Sequence, residues 1–310
     1  MTGQNNTSYS YDEANGIAGV TLPDNATISW NGYTWTRPAK VLLPGGTKRS
    51  YTYDGLMRMK AIEVKDPLET MLMQYGYGFD NMDNIVSKQT ERGDYSYRYD
   101  DLYRLINTDD PTVDNETFTY DAVGNRLSYA GWAAPAGSYS YNANNELQTT
   151  NDATYDYDAN GNTISRTEGS SVVNFIYDIE NRLIRVEDGS SNVIAQYAYD
   201  PFGRRLSKTV DSTTTYYFYA DEGLIGEYDA TGTQIKAYGY KPGSTWTTDP
   251  LFMKQGTTHY YYQNDHLGTP QQITTASADV VWSATHSSFG KATVDITSSL
   301  TNNLRFPGQY

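Results

Sequence analysis

The sequence predicts an all-β fold in which tandem β-hairpins join edge to edge into a coiling antiparallel sheet. Three observations support this. Tyrosine is the commonest aromatic residue, with 30 Tyr against 8 Phe and 5 Trp. Pairs of aromatic residues followed by aspartate recur along the chain, and a turn rich in Gly, Asn and Asp follows most pairs. No segment has the apolar period of a capped helix, so we expect no substantial helix.

The tyrosine content predicts a thin structure. Only 38% of the residues are hydrophobic, whereas about 45–50% are apolar, glycine included, in ordinary globular domains. A tyrosine can bury its ring while its hydroxyl stays hydrated or hydrogen-bonded. A sheet with much surface and little deep core suits that residue.

Each repeat can be interpreted as one hairpin. Residues two apart in a strand point to the same face, so each aromatic pair lies on one side of the sheet. Aspartate then opens a turn, glycine supplies a positive φ, and a short apolar strand returns, as at Leu105-Ile106. A single hairpin is marginal in water, so neighbouring hairpins must stack. The repeat motif comprises Tyr53-Asp54, Tyr99-Asp100, Tyr120-Asp121 with Gly124, Tyr157-Asp158 with Gly161, Tyr177-Asp178, and Tyr199-Asp200 with Gly203.

The repeat character divides the chain into three stretches. Residues 1–50 form a β segment that is only weakly repeat-like, and residues 51–240 form the repeat array. In residues 241–310 the repeats weaken and other motifs begin, so we expect a separate region there. The length permits one large β architecture, and the repeats favour it.

Composition excludes several classes of function. The formal net charge is −14 and no Lys/Arg cluster offsets it, so we expect no nucleic-acid partner. The chain has no cysteine, which excludes disulfides and thiolate metal sites. No apolar run approaches the ~20 residues of a membrane helix. The first residues are polar and contain no signal peptide, so we expect a fragment or a protein exported by a specialised system.

Two motifs near the end are more specific than the repeats. The first is Asp265-His266-Leu267-Gly268 and the second is Arg305-Phe306-Pro307-Gly308; together we call them the core-entry motif. With the Tyr-Asp repeats, they resemble the RHS, or YD-repeat, family of bacteria, which is related to the repeats of insecticidal toxin complexes and of animal teneurins. The resemblance extends from Tyr51 to Tyr310, up to the start of the family's core region.

This resemblance implies a non-catalytic scaffold. Repeats of the family wind into a hollow β-shell that encloses a toxin or effector cargo, secreted or at the bacterial cell surface. The resemblance therefore implies that the sheet of this chain is a partial β-shell or barrel wall. The implied partners are that C-terminal cargo domain or other shell chains. The family's autoproteolytic aspartates belong to a later motif, so we expect no catalytic, cofactor-binding or metal-binding residue here. Because the family's chain continues, Leu304 and Phe306 are expected to lack packing partners. The alternative implied function is cell-surface adhesion or glycan binding.

Several local patterns leave a functional alternative open. Asp156-x-Asp158 begins like a calcium loop, but Thr167 stands where a bidentate Glu is required, which favours a turn. Asp–Arg pairs such as Asp100 and Arg104 would form a ligand-binding ladder or, as we favour, staple each turn. Asp265-His266 would serve acid–base chemistry or, as we favour, a structural turn. Sheet packing is favoured over sugar stacking for the aromatic residues Trp30, Tyr33, Trp35, Trp132, Trp246 and Trp282.

Overall fold

The computed structural model describes residues 7–308, and in that range it contains β-strands and a single 3-10 turn at Pro44–Gly46. The prediction of an all-β fold built from hairpins is therefore confirmed. The chain forms two compact units. The first comprises Met1–Tyr97 with Tyr238–Tyr310, and the second comprises Arg98–Ala237. The three stretches drawn from the sequence describe repeat character and remain a prediction.

The first unit contains the strands from both ends of the chain. They are β1 (Ser8–Tyr11), β2 (Ile17–Thr21), β3 (Thr27–Trp30), β4 (Tyr33–Thr34), β5 (Arg37–Pro38), β6 (Lys40–Leu42), β7 (Lys48–Tyr53), β8 (Met59–Lys65), β9 (Met71–Phe79), β10 (Ile85–Thr90), β11 (Gly93–Tyr99), β27 (Pro250–Gln255), β28 (Thr258–Asn264), β29 (Pro270–Thr274), β30 (Val280–His286) and β31 (Ala292–Val294). These strands belong to two sheets, each ordered as in the chain: β1-β2-β3-β6 and onward to β11 lie in one, and β27 to β31 lie in the other, while β4 and β5 form a small separate hairpin.

The second unit contains the central repeats. Its strands are β12 (Leu105–Asp109), β13 (Glu116–Tyr120), β14 (Arg126–Ala130), β15 (Gly137–Ser138), β16 (Ser140–Tyr141), β17 (Leu147–Thr149), β18 (Thr154–Tyr157), β19 (Thr163–Glu168), β20 (Ser171–Tyr177), β21 (Leu183–Asp188), β22 (Val193–Tyr199), β23 (Arg205–Val210), β24 (Thr213–Ala220), β25 (Gly223–Tyr228) and β26 (Gln234–Tyr240), whose last residues belong to the first unit. Here too β12 to β15 and β16 to β26 are ordered as in the chain.

In several repeats the second aromatic residue lies at a β-bulge. The register shifts between Thr119 and Tyr120, and the same shift precedes Tyr157 and Tyr199. A bulge bends its strand and increases the local right-handed twist. The repeats that contain this bulge therefore carry their own local twist.

The two units differ in the depth of their cores. In the first, a cluster that includes Val20 and Ile28 of β2 and β3 packs against Leu251 and Tyr261 of β27 and β28. In the second, one buried cluster is centred on Phe118 and Tyr129 and is backed by partly buried aromatic rings. The predicted thin construction therefore holds for the repeats of the second unit.

The expectation that the C-terminal segment lacks partners is wrong for Leu304. Its side chain is only 2% exposed. Phe306 is half-buried, and its ring lies close to Gly290. The physical reason is that this segment folds back on the C-terminal strands: Asn302, whose side chain donates to the carbonyl of Leu304, accepts a hydrogen bond from Tyr262 of β28.

Candidate functional site

Each repeat turn is closed by its aspartate. Oδ1 of Asp100 accepts hydrogen bonds from the backbone N–H groups of Leu102 at 3.0 Å and Arg104 at 2.9 Å, and Oδ2 accepts one from Nε of Arg104 at 2.7 Å. The backbone hydrogen bond from Arg104 is the largest influence on the pKa of the Asp100 carboxyl, and the net shift is downward. The same turn recurs at Asp54, Asp178 and Asp200 with Arg, and at Asp121 and Asp158 with Asn.

The arginine of the turn also reaches the following repeat. Nη1 of Arg104 donates to the backbone carbonyl of Asp121 at 2.7 Å, and its guanidinium lies 4.9 Å from the ring centre of Tyr120. Arg58 makes the same two contacts, with the carbonyl of Asp80 and the ring of Phe79. A guanidinium over an aromatic face is attracted by the ring quadrupole. The Asp–Arg pair therefore staples its own turn and ties it to the next hairpin.

The second aromatic residue returns a hydrogen bond to the preceding repeat, which explains why it is usually tyrosine. The hydroxyl of Tyr120 donates to the carbonyl of Leu105 at 2.8 Å. Burial raises the pKa of the Tyr53 hydroxyl to about 12, so it stays protonated and can donate. The equivalent bonds run from Tyr53 to Pro38, Tyr141 to Arg126, Tyr157 to Leu147, Tyr199 to Leu183 and Tyr219 to Arg205, at 2.7–2.9 Å. Tyr99 and Tyr177 lie half-buried at the corresponding strand ends.

We call these three contacts, the aspartate turn, the arginine bridge and the tyrosine hydroxyl, the repeat clamp. Its turns require a positive φ, which is 96° at Gly124, 81° at Gly161 and 79° at Gly203. Each clamp satisfies buried polar groups and joins neighbouring hairpins without a deep apolar core. The clamp has the properties of a structural joint.

The pattern that resembles a calcium loop is such a joint. Oδ1 of Asp158 accepts from the backbone of Asn160 and Asn162, both at 2.9 Å, and Oδ2 accepts from the Asn162 side chain at 2.8 Å. Oδ2 of Asp156 accepts from the Ser165 hydroxyl at 2.7 Å. Across residues 7–308, no three His, Asp or Glu side chains form a group that would hold a metal ion. These carboxylates therefore serve the turn.

The core-entry motif begins with the same turn. Oδ1 of Asp265 accepts from the N–H groups of Leu267 at 2.9 Å and Thr269 at 3.0 Å, and Gly268 has a φ of 79°. The ring of His266 lies 4.5 Å from that of Tyr77. Burial lowers the pKa of His266, which favours the neutral ring. Leu267 remains exposed.

Within the first unit, the chain from β2 to β9 packs against β27 to β30, and we call this contact the seam. The core-entry turn lies in the seam. Nε of Arg49 donates to Oε1 of Gln263 at 2.7 Å, and the same guanidinium bonds the carbonyl of Tyr262. Gln272 donates to the carbonyl of Leu72 at 3.0 Å, across 200 residues of sequence. Long-range polar bonds thus fix the C-terminal strands against the N-terminal ones.

The second half of the core-entry motif also packs in the first unit. Nε of Arg305 donates to the carbonyl of Asn302 at 3.0 Å, and Nε2 of His286 lies 2.8 Å from the carbonyl oxygen of Arg305. Gly308 donates its N–H to the carbonyl of Thr247, and Pro307 lies between the two anchored residues. Gln309 and Tyr310, which continue the motif in the sequence, lie outside the described residues.

Asn302 is a buried residue that the sequence did not single out. Its Oδ1 accepts from the Tyr262 hydroxyl at 2.8 Å, and its Nδ2 donates to the carbonyl of Leu304. The third histidine, His259, is buried in the seam with Nδ1 2.7 Å from Oδ2 of Asp24. Each of the three histidines therefore has a structural partner of its own.

The aromatic residues that were weighed as sugar platforms fall into three groups by their exposure. Trp282 is 1% exposed and Trp30 is also buried, so neither indole presents the open face that stacking on a sugar requires. The sugar-stacking alternative is therefore wrong for these two residues. Tyr33 and Trp132 are half-buried. Trp35 is 86% exposed and Trp246 is partly exposed.

No helix among residues 7–308 is long and apolar enough to cross a membrane.

Comparison with known proteins agrees with this architecture. The family model described as teneurin YD-shell matches residues 72–309, most of the chain. The double-stranded DNA deaminase toxin A of Burkholderia cenocepacia is 28% identical over 268 residues, which is 76% of this chain and 18% of that protein. Mouse teneurin-4 is 24% identical over 260 residues, 78% of this chain and 9% of that protein. The chain spans less than a fifth of the length of these relatives.

Solved structures share the fold at low sequence identity. The crystal structure of TcdB2-TccC3 without the hypervariable C-terminal region has a TM-score of 0.77 and 16% identity, covering 97% of this chain and 18% of that one. The Photorhabdus luminescens Tc holotoxin pore has a TM-score of 0.72 and 14% identity, covering 97% of this chain and 18% of that one.

Proposed function

The chain belongs to the teneurin YD-shell family, and from this premise we propose that it is a non-catalytic wall segment of a β-shell that encloses a toxin or effector domain. The repeat clamp carries the proposal. It recurs in both units, at Tyr53 of the first and at Tyr120 and Tyr199 of the second. Joints that repeat between neighbours give a sheet that extends by adding hairpins, which suits a wall.

The proposed partners are the enclosed C-terminal toxin or effector domain and other chains or repeats of the shell. The relatives named as a DNA deaminase toxin and as tRNA nucleases of the WapA type support a toxin cargo. The proposed location is outside the cytoplasm of a bacterium, secreted or at the cell surface. The net charge of −14 opposes a nucleic-acid partner for the wall itself.

The proposal is tested by asking whether the two faces of the sheet differ in accessibility in the full-length native protein. The chain has no cysteine, so single cysteines report on their own positions. Ala198 of β22 is exposed and pairs with Ser207, while Lys208 of β23 pairs with the adjacent Tyr197. Adjacent strand residues point to opposite faces, so Ala198→Cys and Lys208→Cys label opposite sides of one sheet.

In a closed wall, both cysteines react with a small maleimide, but only one reacts with a maleimide carried on a large polymer. The 310-residue chain alone is the matched control, in which both positions react with both reagents. Equal reaction of both positions with the large reagent in the full-length native protein would show that the sheet encloses nothing, and would contradict the proposal.

A second candidate function is adhesion through glycan binding at a cell surface. One observation favours it: the indole of Trp35 is largely exposed, as a stacking platform requires. A glycan array with Trp35→Ala beside the unmodified chain tests it. Glycan binding that Trp35→Ala abolishes would support adhesion, and the absence of any bound glycan would remove this candidate.

A further inference from the structure

The hairpin of β1 and β2 has the complete turn of a repeat. Oδ1 of Asp12 accepts hydrogen bonds from the backbone N–H groups of Ala14 at 3.0 Å and Gly16 at 2.7 Å, two and four residues ahead, as in the later repeats. The register shifts between Ser10 and Tyr11, which is the bulge of the later repeats. Tyr11-Asp12 is therefore a Tyr-Asp unit in its backbone geometry as well as in its sequence.

On the side of β2, this hairpin is clamped to the chain that follows. The hydroxyl of Tyr33 donates to the carbonyl of Ile17, the first residue of β2. Leu105 has the same place in β12, where its carbonyl accepts from the hydroxyl of Tyr120. The hairpin therefore acts as an ordinary repeat towards its neighbour on this side.

On the other side, the outer edge of β1 has the second half of a clamp without a partner. β1 is the end strand of its sheet and pairs with β2 alone. Tyr11 is 51% exposed, and among residues 7–308 no carbonyl accepts from its hydroxyl and no guanidinium lies over its ring. In a filled clamp, Tyr199 has both contacts. Its hydroxyl donates to the carbonyl of Leu183 at 2.8 Å, and the guanidinium of Arg182 lies 5.4 Å from its ring centre.

The outer edge of β1 also lacks the features that usually prevent strand pairing. Edge strands are commonly protected by charged side chains, by proline or by a bulge. β1, Ser8-Tyr9-Ser10-Tyr11, contains neither a charge nor a proline. Its bulge does not close the edge, because β13 has the same bulge and is paired on both sides, with β12 and β14. The unpaired backbone groups of this edge can therefore bind another strand.

We propose that the outer edge of β1 binds the return strand of another Tyr-Asp hairpin, one whose turn carries arginine. The return strand would pair antiparallel with β1, and the carbonyl of its first residue would accept from the Tyr11 hydroxyl. The arginine of its turn would lie over the Tyr11 ring and donate to the carbonyl of Asp12. This inference rests on the proposed wall function, and it names the surface through which the wall is joined.

A second copy of this chain fits the edge less well. Its last return strand, β31, ends its sheet, but the turn before β31 carries Lys291 where the clamp has arginine. A lysine ammonium is a point charge, and it cannot present the planar fork with which arginine covers a ring and reaches a carbonyl at once. The partner is therefore a hairpin of the Asp–Arg type.

A cyclic peptide of residues 173–188, the hairpin of β20 and β21, tests the proposal on the 310-residue chain. It contains Arg182 and Leu183, the two residues that contact Tyr199 in a filled clamp. Val173 pairs with Asp188, so a D-Pro-Gly turn can join the two ends. The ring is needed because a single hairpin is marginal in water. Fluorescence anisotropy of the labelled peptide should show binding, and hydrogen exchange resolved by peptide should show slower exchange in β1.

Paired variants separate the clamp from non-specific association. Tyr11→Phe should weaken binding about fivefold, the loss expected for one hydrogen bond. Tyr103→Phe removes the same hydroxyl from an exposed tyrosine elsewhere and should leave binding unchanged. In the peptide, Arg182→Lys keeps the charge and should also weaken binding about fivefold. Ile179→Ala, at a side chain that is 98% exposed in the chain, should leave binding unchanged.

Four outcomes would overturn the proposal. They are no binding at millimolar peptide, slower exchange only outside β1, equal binding to Tyr11→Phe and to the unmodified chain, and self-association of the chain alone that Tyr11→Phe abolishes. The last outcome would show that a second copy occupies the edge. The maleimide test of the wall concerns the two faces of the sheet and not its edge, so the failure of either proposal can be distinguished from the failure of the other.

Discussion

Replacing Gly45 by alanine tests the seam at its closest approach. Gly45 lies in the 3-10 turn before β7 and has a φ of 80°. A Cβ built at this position would lie 1.6 Å from the backbone carbonyl oxygen of Ala276, in the turn that follows β29. The substitution therefore affects a contact between the two ends of the chain that no local feature of the sequence requires.

The expected cost is the sum of two effects. A positive φ costs an L-amino acid about 1–2 kcal/mol. The overlap is with a backbone atom, so no side-chain rotation relieves it and one of the two turns must move, at about 1–3 kcal/mol for an overpacked site. Gly45→Ala should therefore lower the free energy of unfolding of the first unit by about 2–5 kcal/mol. At Gly124 the φ is 96° and no atom lies within 4 Å of a Cβ, so Gly124→Ala carries the first cost alone.

Hydrogen exchange resolved by peptide measures both variants. Gly45→Ala should accelerate exchange in β28 to β30 and leave the strands of the second unit unchanged, while Gly124→Ala should affect the second unit alone. Far-UV circular dichroism of each variant checks that the β structure is retained. If Gly45→Ala costs no more than Gly124→Ala, the turn does not contact Ala276 and our account of the seam is wrong.

Three further predictions concern the clamp and the seam. Tyr120→Phe should destabilise by about 1 kcal/mol in urea unfolding through loss of its hydrogen bond, whereas Tyr103→Phe, at an exposed tyrosine, should change stability by less than about 0.5 kcal/mol; equal effects would refute the clamp. Gly161→Val should cost about 1–3 kcal/mol, since it forces a β-branched residue to positive φ; a neutral result would contradict the turn geometry. Burial lowers the pKa of His266 and His286 below 6.5, so the unfolded chain binds more protons and stability should fall as pH drops from about 6.5 towards 5; unfolding free energies that stay constant over that range would refute it.

The sequence predicted the hairpins and their turns because the information is local. Asp100, Leu102 and Arg104 lie within one turn, and hydrogen bonds between residues so close in sequence depend little on the rest of the fold. The turn-stapling interpretation of the Asp–Arg pairs was available for the same reason. The bulge before Tyr120 was missed, because an aromatic-x-aromatic pattern fits regular and bulged strands equally well.

The seam was beyond prediction for a different reason. Arg49 and Gln263 are 214 residues apart, and neither belongs to a repeated motif. Whether they meet depends on the twist of the strands between them, which is a sum of small rotations that the sequence pattern does not fix. The wrong expectation for Leu304 has a related cause, because the hydrogen bond from Tyr262 to Asn302, beside Leu304, spans 40 residues and forms only in the folded chain.

The core-entry turn shows how a structural joint acquires a second role. Its backbone is that of a repeat turn, with Asp265 bonding the amides two and four residues ahead. The second residue differs: Ala122 and Ala159 of the repeat turns are exposed, whereas His266 is half-buried against Tyr77. One ring therefore converts a solvent-facing turn into a contact. The clamp is common to the repeats, whereas Arg49, Asn264 and His266 depart from it and line one cleft of the first unit.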